Sequence, residues 1–211
     1  MALDKKFIDK FENITSKAAF AASHFVGKKD KVAADKAAVD SMRSELNKLD
    51  INGKIVIGEG ELDEAPMLYI GEVVGTKKGF EFDIAVDPLE GTNFAANNLP
   101  GALSIIAISE KNNLFKAPET YMEKISSNVK ANGVIDLDFT VKKNIYNLSD
   151  YLNKKPNQLT VCILDRPRHK NIIEELNKLK VNIKFITDGD VSGALLVTDE
   201  KYKVDLFLGI G

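Results

Sequence analysis

From residue 3 to residue 25 the apolar positions Phe7, Phe11, Ile14, Ala18, Ala21 and Phe25 recur at spacings of three and four, the period of a helix with one face in a core. A second helix is predicted over 31–49, with Val39, Met42, Leu46 and Leu49 on one face and Asn52-Gly53 as its stop signal. The pattern then changes to short β-branched runs between Gly, Asp and Pro, which predict strands over 54–57, 82–86 and 102–109. Residues 65–74 are apolar, but so brief a run fits a strand or a buried helix equally, and both readings stay open.

The second half alternates more regularly. It predicts a helix over 141–153, a strand over 158–164, a helix over 169–179, a strand over 182–186, a helical stretch after Asp190 and a strand over 204–208. Such βαβαβ alternation implies a parallel sheet with helices on its faces, and in such sheets ligands bind beyond the carboxyl ends of the strands. Those ends read Asp165-Arg166-Pro167-Arg168-His169, Asp188-Gly189-Asp190 and Gly209-Ile210-Gly211, polar or glycine-rich in each case. The weakly patterned stretch 126–138 suggests a junction, giving an N-terminal α+β domain over 1–130 and a C-terminal α/β domain over 131–211. Strand 204–208 reads as buried, yet no helix follows to cover it, so exposed apolar surface is expected there.

Composition narrows the classes. A chain of 211 residues with 44% hydrophobic and 28% charged residues is globular and long enough to bury a real core, so a bound metal would be functional rather than structural. A formal charge of −2 with interspersed signs gives no footprint for nucleic acid and no polybasic membrane patch. The chain starts without a signal-peptide hydrophobic region, and no apolar run reaches the roughly 20 residues of a membrane span. A soluble, cytoplasmic protein is expected. The single cysteine, Cys162, lies in the run Thr160-Val161-Cys162-Ile163-Leu164, which predicts a buried, inert thiol and excludes an intramolecular disulfide or multi-cysteine metal site.

The candidate chemistry is carried by carboxylates. Gly58-Glu59-Gly60-Glu61-Leu62-Asp63-Glu64 follows a strand and could be a solvated acidic turn, but glycines flank Glu59 as a site loop would require. Asp87 and Glu90 are expected just past the strand over 82–86, and Asp35 sits in the mild segment Val32-Ala33-Ala34-Asp35-Lys36-Ala37-Ala38. Two like charges at about 4 Å repel by roughly 4 kcal/mol at an effective dielectric of about 20, so clustered acids need cations or protons. Oxygen ligands without a His/Cys set suit Mg²⁺ or Mn²⁺, and the Asp-x-Asp-x-Asp-Gly pattern of a calcium-binding EF-hand is absent. Gly91-Thr92 at a loop entering a helix could present backbone N–H groups to a phosphate, with the Thr92 hydroxyl orienting a water or capping the helix.

These blocks in this order resemble the class II (GlpX-type) fructose-1,6-bisphosphatases, within the lithium-sensitive, metal-dependent sugar phosphatase superfamily. The resemblance runs through Ala34 to Arg43, Ile57 to Glu72, Asp83 to Thr92, Tyr121-Met122-Glu123-Lys124, Arg166-Pro167-Arg168-His169, Asp188-Gly189-Asp190 and Gly209-Ile210-Gly211. It implies an α/β sugar phosphatase fold in layered α-β-α-β-α order, with Mn²⁺ or Mg²⁺ as cofactor. It implies Asp35, Glu59, Asp87 and Glu90 as metal ligands, Asp63 and Thr92 at the catalytic centre, and substrate contacts from Glu90, Gly91, Thr92, Tyr121, Arg166, Pro167, Arg168, Asp188, Gly189 and Asp190. The implied reaction is hydrolysis of the C1 phosphate of fructose 1,6-bisphosphate. Sedoheptulose 1,7-bisphosphate, an inositol phosphate, or binding without turnover are the alternatives, and a homodimer or homotetramer is the expected assembly. The family's pattern continues into Gly-Ala-Pro-Glu, whose glutamate is a further metal ligand, so weaker metal binding and turnover are expected of the present 211 residues.

Overall fold

Helix α1 (Lys5–Ser23) forms where the three-and-four periodicity predicts it, and it buries Phe7, Phe11, Ile14, Ala18 and Ala22. Helix α2 (Lys31–Leu46) starts at Asp30, whose Oδ1 accepts the Ala33 N–H at 2.9 Å and satisfies one of the orphan donors of the first turn. The computed structural model describes residues 5–58, 68–118 and 120–211. The chain divides into two compact units, Met1–Pro118 and Glu119–Gly211.

In the first unit, strands β1 (Ile51–Ile57), β2 (Val73–Val74), β3 (Phe80–Glu90) and β4 (Leu103–Glu110) form one sheet in the order β2-β1-β3-β4. β1 and β3 are parallel, while β2 and β4 run antiparallel to their neighbours. Asn52-Gly53 is therefore not the stop signal of α2, which ends at Asn47; both residues lie inside β1. Glycine is used there for closeness, because a Cβ on Gly53 would stand 2.6 Å from Ile84 Cδ1 on the adjacent strand. The open segment resolves at its end as β2, paired with Gly53 and Lys54. Helices α1 and α2 cover the sheet around Met42, Leu46, Ile51, Ile55 and Ile84, all fully buried, and Phe7 meets Phe82 edge-on at 5.3 Å. Truncating one of these aliphatic side chains to Ala should cost about 2–5 kcal/mol.

The second unit holds β5 (Glu123–Ser126), β6 (Thr160–Leu164), β7 (Asn182–Ile186) and β8 (Leu206–Ile210) in the order β5-β8-β6-β7. β6 is parallel to both β7 and β8, as alternation predicts, and β5 adds an antiparallel edge. Helices α4 (Val141–Leu152) and α5 (Lys170–Lys178) supply Ile145, Leu148 and Leu176 to a core that includes Leu206 and Leu208. Phe207, which points the other way, packs with Cys162, Val197 and Val204 next to α6 (Asp190–Leu195). The apolar surface expected on strand 204–208 is thus absent: β8 is an interior strand, buried on both faces. Of the stretch 126–138, Ser126 closes β5 and residues 127–138 are irregular but anchored. Buried Asn144 donates to Asp136 O at 2.9 Å and accepts from Asp136 N at 2.9 Å, and Ser127 Oγ donates to Asp205 O at 2.8 Å.

Candidate active site

Asp87 and Glu90 do not follow their strand, as the sequence suggests; they belong to it, because β3 goes on pairing with β4 through Asp87↔Ile105 and Glu90↔Leu103. The register shifts between those pairs, with three steps on β3 against two on β4. This bulge resets the alternation of faces. Val86 and Leu89, three residues apart, both enter the core beneath the helices, which an unbroken strand would not allow. The residue after each, Asp87 and Glu90, is thereby turned to the opposite face.

Gly91 then takes φ 74° and ψ 47° and caps the short helix α3 (Thr92–Ala96). A Cβ at this position would lie 2.7 Å from Phe94 Cδ2, so geometry and space both call for glycine. Of the two roles open to Thr92, the cap falls to Gly91, and Thr92 is the first helical residue. Asp35 lies in the second turn of α2 between the buried residues Ala34 and Ala38. Burial raises its carboxyl pKa above the ordinary 3.8, and it has no hydrogen-bond or ion-pair partner among the described residues. Half-buried oxygen donors of this kind suit a hard divalent cation. Among the described residues no three acidic, His or Cys side chains gather closely enough to hold one. Glu59 and Asp63 lie outside the described residues.

The second unit collects its polar groups at the carboxyl ends of its strands. Arg166 Nη1 donates to Asp165 O at 3.0 Å and Nη2 to Thr187 O at 2.6 Å, so this side chain ties the loop after β6 to the loop after β7. Pro167 opens a short 3₁₀ turn, at a first position that needs no N–H. The Arg168 guanidinium lies 4.6 Å from the centroid of the exposed Tyr121 ring, and its Nε donates to Ile210 O at 2.6 Å. Its terminal nitrogens make no hydrogen bond to described residues, leaving a planar fork of donors toward solvent. Gly189, at φ 76°, caps α6 as Gly91 caps α3, and places Asp188 and Asp190 on either side of the strand-to-helix turn. Asp190 Oδ2 pairs with Lys124 Nζ at 3.1 Å.

Lys124 and His169 lie in the blocks that carry the resemblance, but the sequence assigns neither a role. Lys124 sits on β5, a four-residue strand too short to show periodicity, and its pairing with Asp190 spans 66 positions. His169 is fully buried, and both ring nitrogens contact main-chain atoms. Its sequence signal is no more than its place five residues past the apolar run Thr160–Leu164. No helix among the described residues is long and apolar enough to cross a membrane.

The profile of the bacterial, glpX-encoded fructose-1,6-bisphosphatases matches residues 5–211. Fructose-1,6-bisphosphatase 1 class 2 of Escherichia coli K12 is 46% identical over 202 residues, which cover 96% of this chain and 60% of that protein. The D-fructose 1,6-bisphosphatase class 2/sedoheptulose 1,7-bisphosphatase of a Synechocystis strain is 43% identical over 210 residues, covering 94% of this chain and 61% of its own. The Haemophilus influenzae class 2 fructose-1,6-bisphosphatase is 45% identical over 204 residues. The chain spans about three-fifths of the length of these curated relatives. By extent of match and by identity, the chain belongs to the glpX-encoded bacterial fructose-1,6-bisphosphatase family.

Proposed function

We propose that this chain carries metal-binding and sugar-phosphate-binding parts of a phosphatase that hydrolyses the C1 phosphate of fructose 1,6-bisphosphate to fructose 6-phosphate. The observation that supports it most is the strand end itself: Asp87 and Glu90 on one face of β3, followed by left-handed Gly91 and Thr92 at the start of α3. Asp35, Glu59, Asp87 and Glu90 would hold Mn²⁺ or Mg²⁺, a choice their hard oxygen donors favour. When bound, the cation supplies Lewis-acid polarisation and neutralises charge on the phosphoryl oxygens.

The other roles belong to side chains. Thr92 orients the attacking water through its hydroxyl, with Asp63 close to the same centre. The free fork of Arg168 recognises a phosphate, and its stacking on Tyr121 limits the orientations that fork can take. Asp188 and Asp190 accept hydrogen bonds from sugar hydroxyls, Lys124 fixing the Asp190 carboxylate. Arg166 donates one N–H from each terminal nitrogen to a main-chain carbonyl, so it shapes the loops and has fewer donors than Arg168 to offer a ligand.

The purified chain with Mn²⁺ should release inorganic phosphate from fructose 1,6-bisphosphate, and Asp87→Ala should abolish release while the circular dichroism spectrum stays native. A second reading, in which sedoheptulose 1,7-bisphosphate is also a substrate, is favoured by the similarity to the Synechocystis D-fructose 1,6-bisphosphatase class 2/sedoheptulose 1,7-bisphosphatase. Comparative kcat/KM separates the two. Binding of the bisphosphate without turnover would make the chain a binder, and neither binding nor turnover would end the proposal.

A further inference from the structure

Between β6 and β8 the ladder stops early. β6 pairs with β7 along its whole length, from Thr160↔Asn182 to Leu164↔Ile186, but with β8 only through Val161↔Leu206 and Cys162↔Phe207. Asp165 N donates to Ile186 O at 2.9 Å, so the main-chain groups of the preceding residue, Leu164, face the other neighbour, β8. Continued at the same register Leu164 would oppose Gly209, and the amide one residue on, that of Ile210, is the donor a parallel ladder offers to the Leu164 carbonyl.

The imidazole of His169 stands in that interval. Its Nδ1 lies 2.7 Å from Leu164 O, and Ile210 N donates to its Nε2 at 2.8 Å. A carbonyl can only accept and an amide N–H can only donate; Nε2 also lies 3.1 Å from Ile210 O, but the shorter contact from the Ile210 amide makes Nε2 the acceptor and leaves the proton on Nδ1, facing Leu164 O. One residue earlier in the chain, Arg168 Nε donates to the carbonyl of the same Ile210 at 2.6 Å. Consecutive side chains thus take both main-chain groups that Ile210 turns toward β6.

We propose that His169 is a positioning residue: by replacing the missing rung between Leu164 and Ile210 it fixes the carbonyl that aims the Arg168 guanidinium, and so the phosphate-binding fork stacked on Tyr121. The link to phosphate rests on the function proposed above; the link from His169 to Arg168 does not.

Two experiments on the 211-residue chain keep these apart. In ¹⁵N spectra, His169 should show a protonated Nδ1 and an unprotonated Nε2, and Arg168 should show a slowly exchanging Nε–H. That Nε–H should persist in His169→Gln, whose amide retains one donor and one acceptor, and be lost in His169→Phe, which fills the space without either. An Nε2–H tautomer, or an Arg168 Nε–H still protected in folded His169→Phe, would overturn the proposal. Calorimetric titration with fructose 1,6-bisphosphate and Mn²⁺ then reads the consequence. Loss of a charge-assisted contact predicts about tenfold weaker binding for His169→Phe, with most of it recovered in His169→Gln. In an Arg168→Ala background the same substitution should cost less than about twofold, because coupled residues are not additive. Full additivity would mean that His169 acts on the fold and not through Arg168. If the parent chain binds no bisphosphate, the function reading fails while the spectra still decide the role of His169.

Discussion

Asp87 and Glu90 share a face of β3 because the strand carries one extra residue between them, three steps on β3 against two on β4. In an unbroken strand two acids three positions apart would point to opposite sides, one of them into the hydrocarbon core beneath α1 and α2. The Pro88-Leu89 step therefore makes a paired carboxylate site possible and keeps Leu89 in the core at the same time. If the two acids act together on one cation, Asp87→Asn and Glu90→Gln should each weaken Mn²⁺ binding by about tenfold or more, and the double substitution by less than the product of the two. Paramagnetic titration of free Mn²⁺ measures this without requiring turnover.

Gly91 links that strand to α3 through a left-handed conformation with Phe94 close to where a Cβ would sit. Gly91→Ala should therefore lose about 1–3 kcal/mol of unfolding free energy from backbone strain and crowding together. Urea denaturation with a tryptophan-free probe such as far-ultraviolet circular dichroism would check it. An unchanged midpoint would mean that the turn relaxes and that glycine is not required.

Much of this architecture was legible because burial writes periodicity into the chain. The helices α1, α2, α4 and α5 and the strands β6 and β7 appear in the sequence within a few residues of where they lie. What could not be read depended on partners distant in sequence. The end of β3 was hidden because proline and glutamate look like a strand exit, and only pairing with Leu103 and Ile105 keeps them in the sheet. Strand β5 is four residues long and exists because β8, some 80 positions later, offers an edge. Asn52-Gly53 looked like a stop because the side chain that excludes a Cβ there belongs to Ile84. The Asp-Gly-Asp and Arg-Pro-Arg blocks showed where polar groups collect, but not that Arg166 is held by main-chain carbonyls while Arg168 keeps its fork free.

Glu45 couples α1 to α2 by accepting from Lys17 at 2.8 Å and from Lys48 at 2.6 Å. The hydrogen bond from Lys17, then that from Lys48, holds its carboxyl pKa below the ordinary 4.5. A depressed folded-state pKa contributes stability above the unfolded value and loses it as pH falls through the folded one. Glu45→Gln should therefore cost about 0.5–1 kcal/mol at neutral pH, the lysines being largely exposed, and the difference from the parent should vanish in acid below the folded-state pKa. A difference that stays constant down to strongly acidic pH would show that packing, and not charge, carries the effect.

Cys162 lies in the middle of β6, fully buried against Phe207, Val197 and Val204. Burial pushes its thiol up to about 11, only partly opposed by the charge of Lys184, so almost no thiolate exists at neutral pH. The folded chain at pH 8 should leave Ellman's reagent unreacted over the time in which a denatured sample reacts in full, and added urea should release the thiol along the same curve that circular dichroism reports for unfolding of the second unit. Cys162→Ser places a hydroxyl where the lining is apolar and should destabilise by about 1–3 kcal/mol. Rapid labelling of the native chain would mean that the sheet opens locally at β6, and with it the strand end from which Asp165, Arg166 and Arg168 are presented.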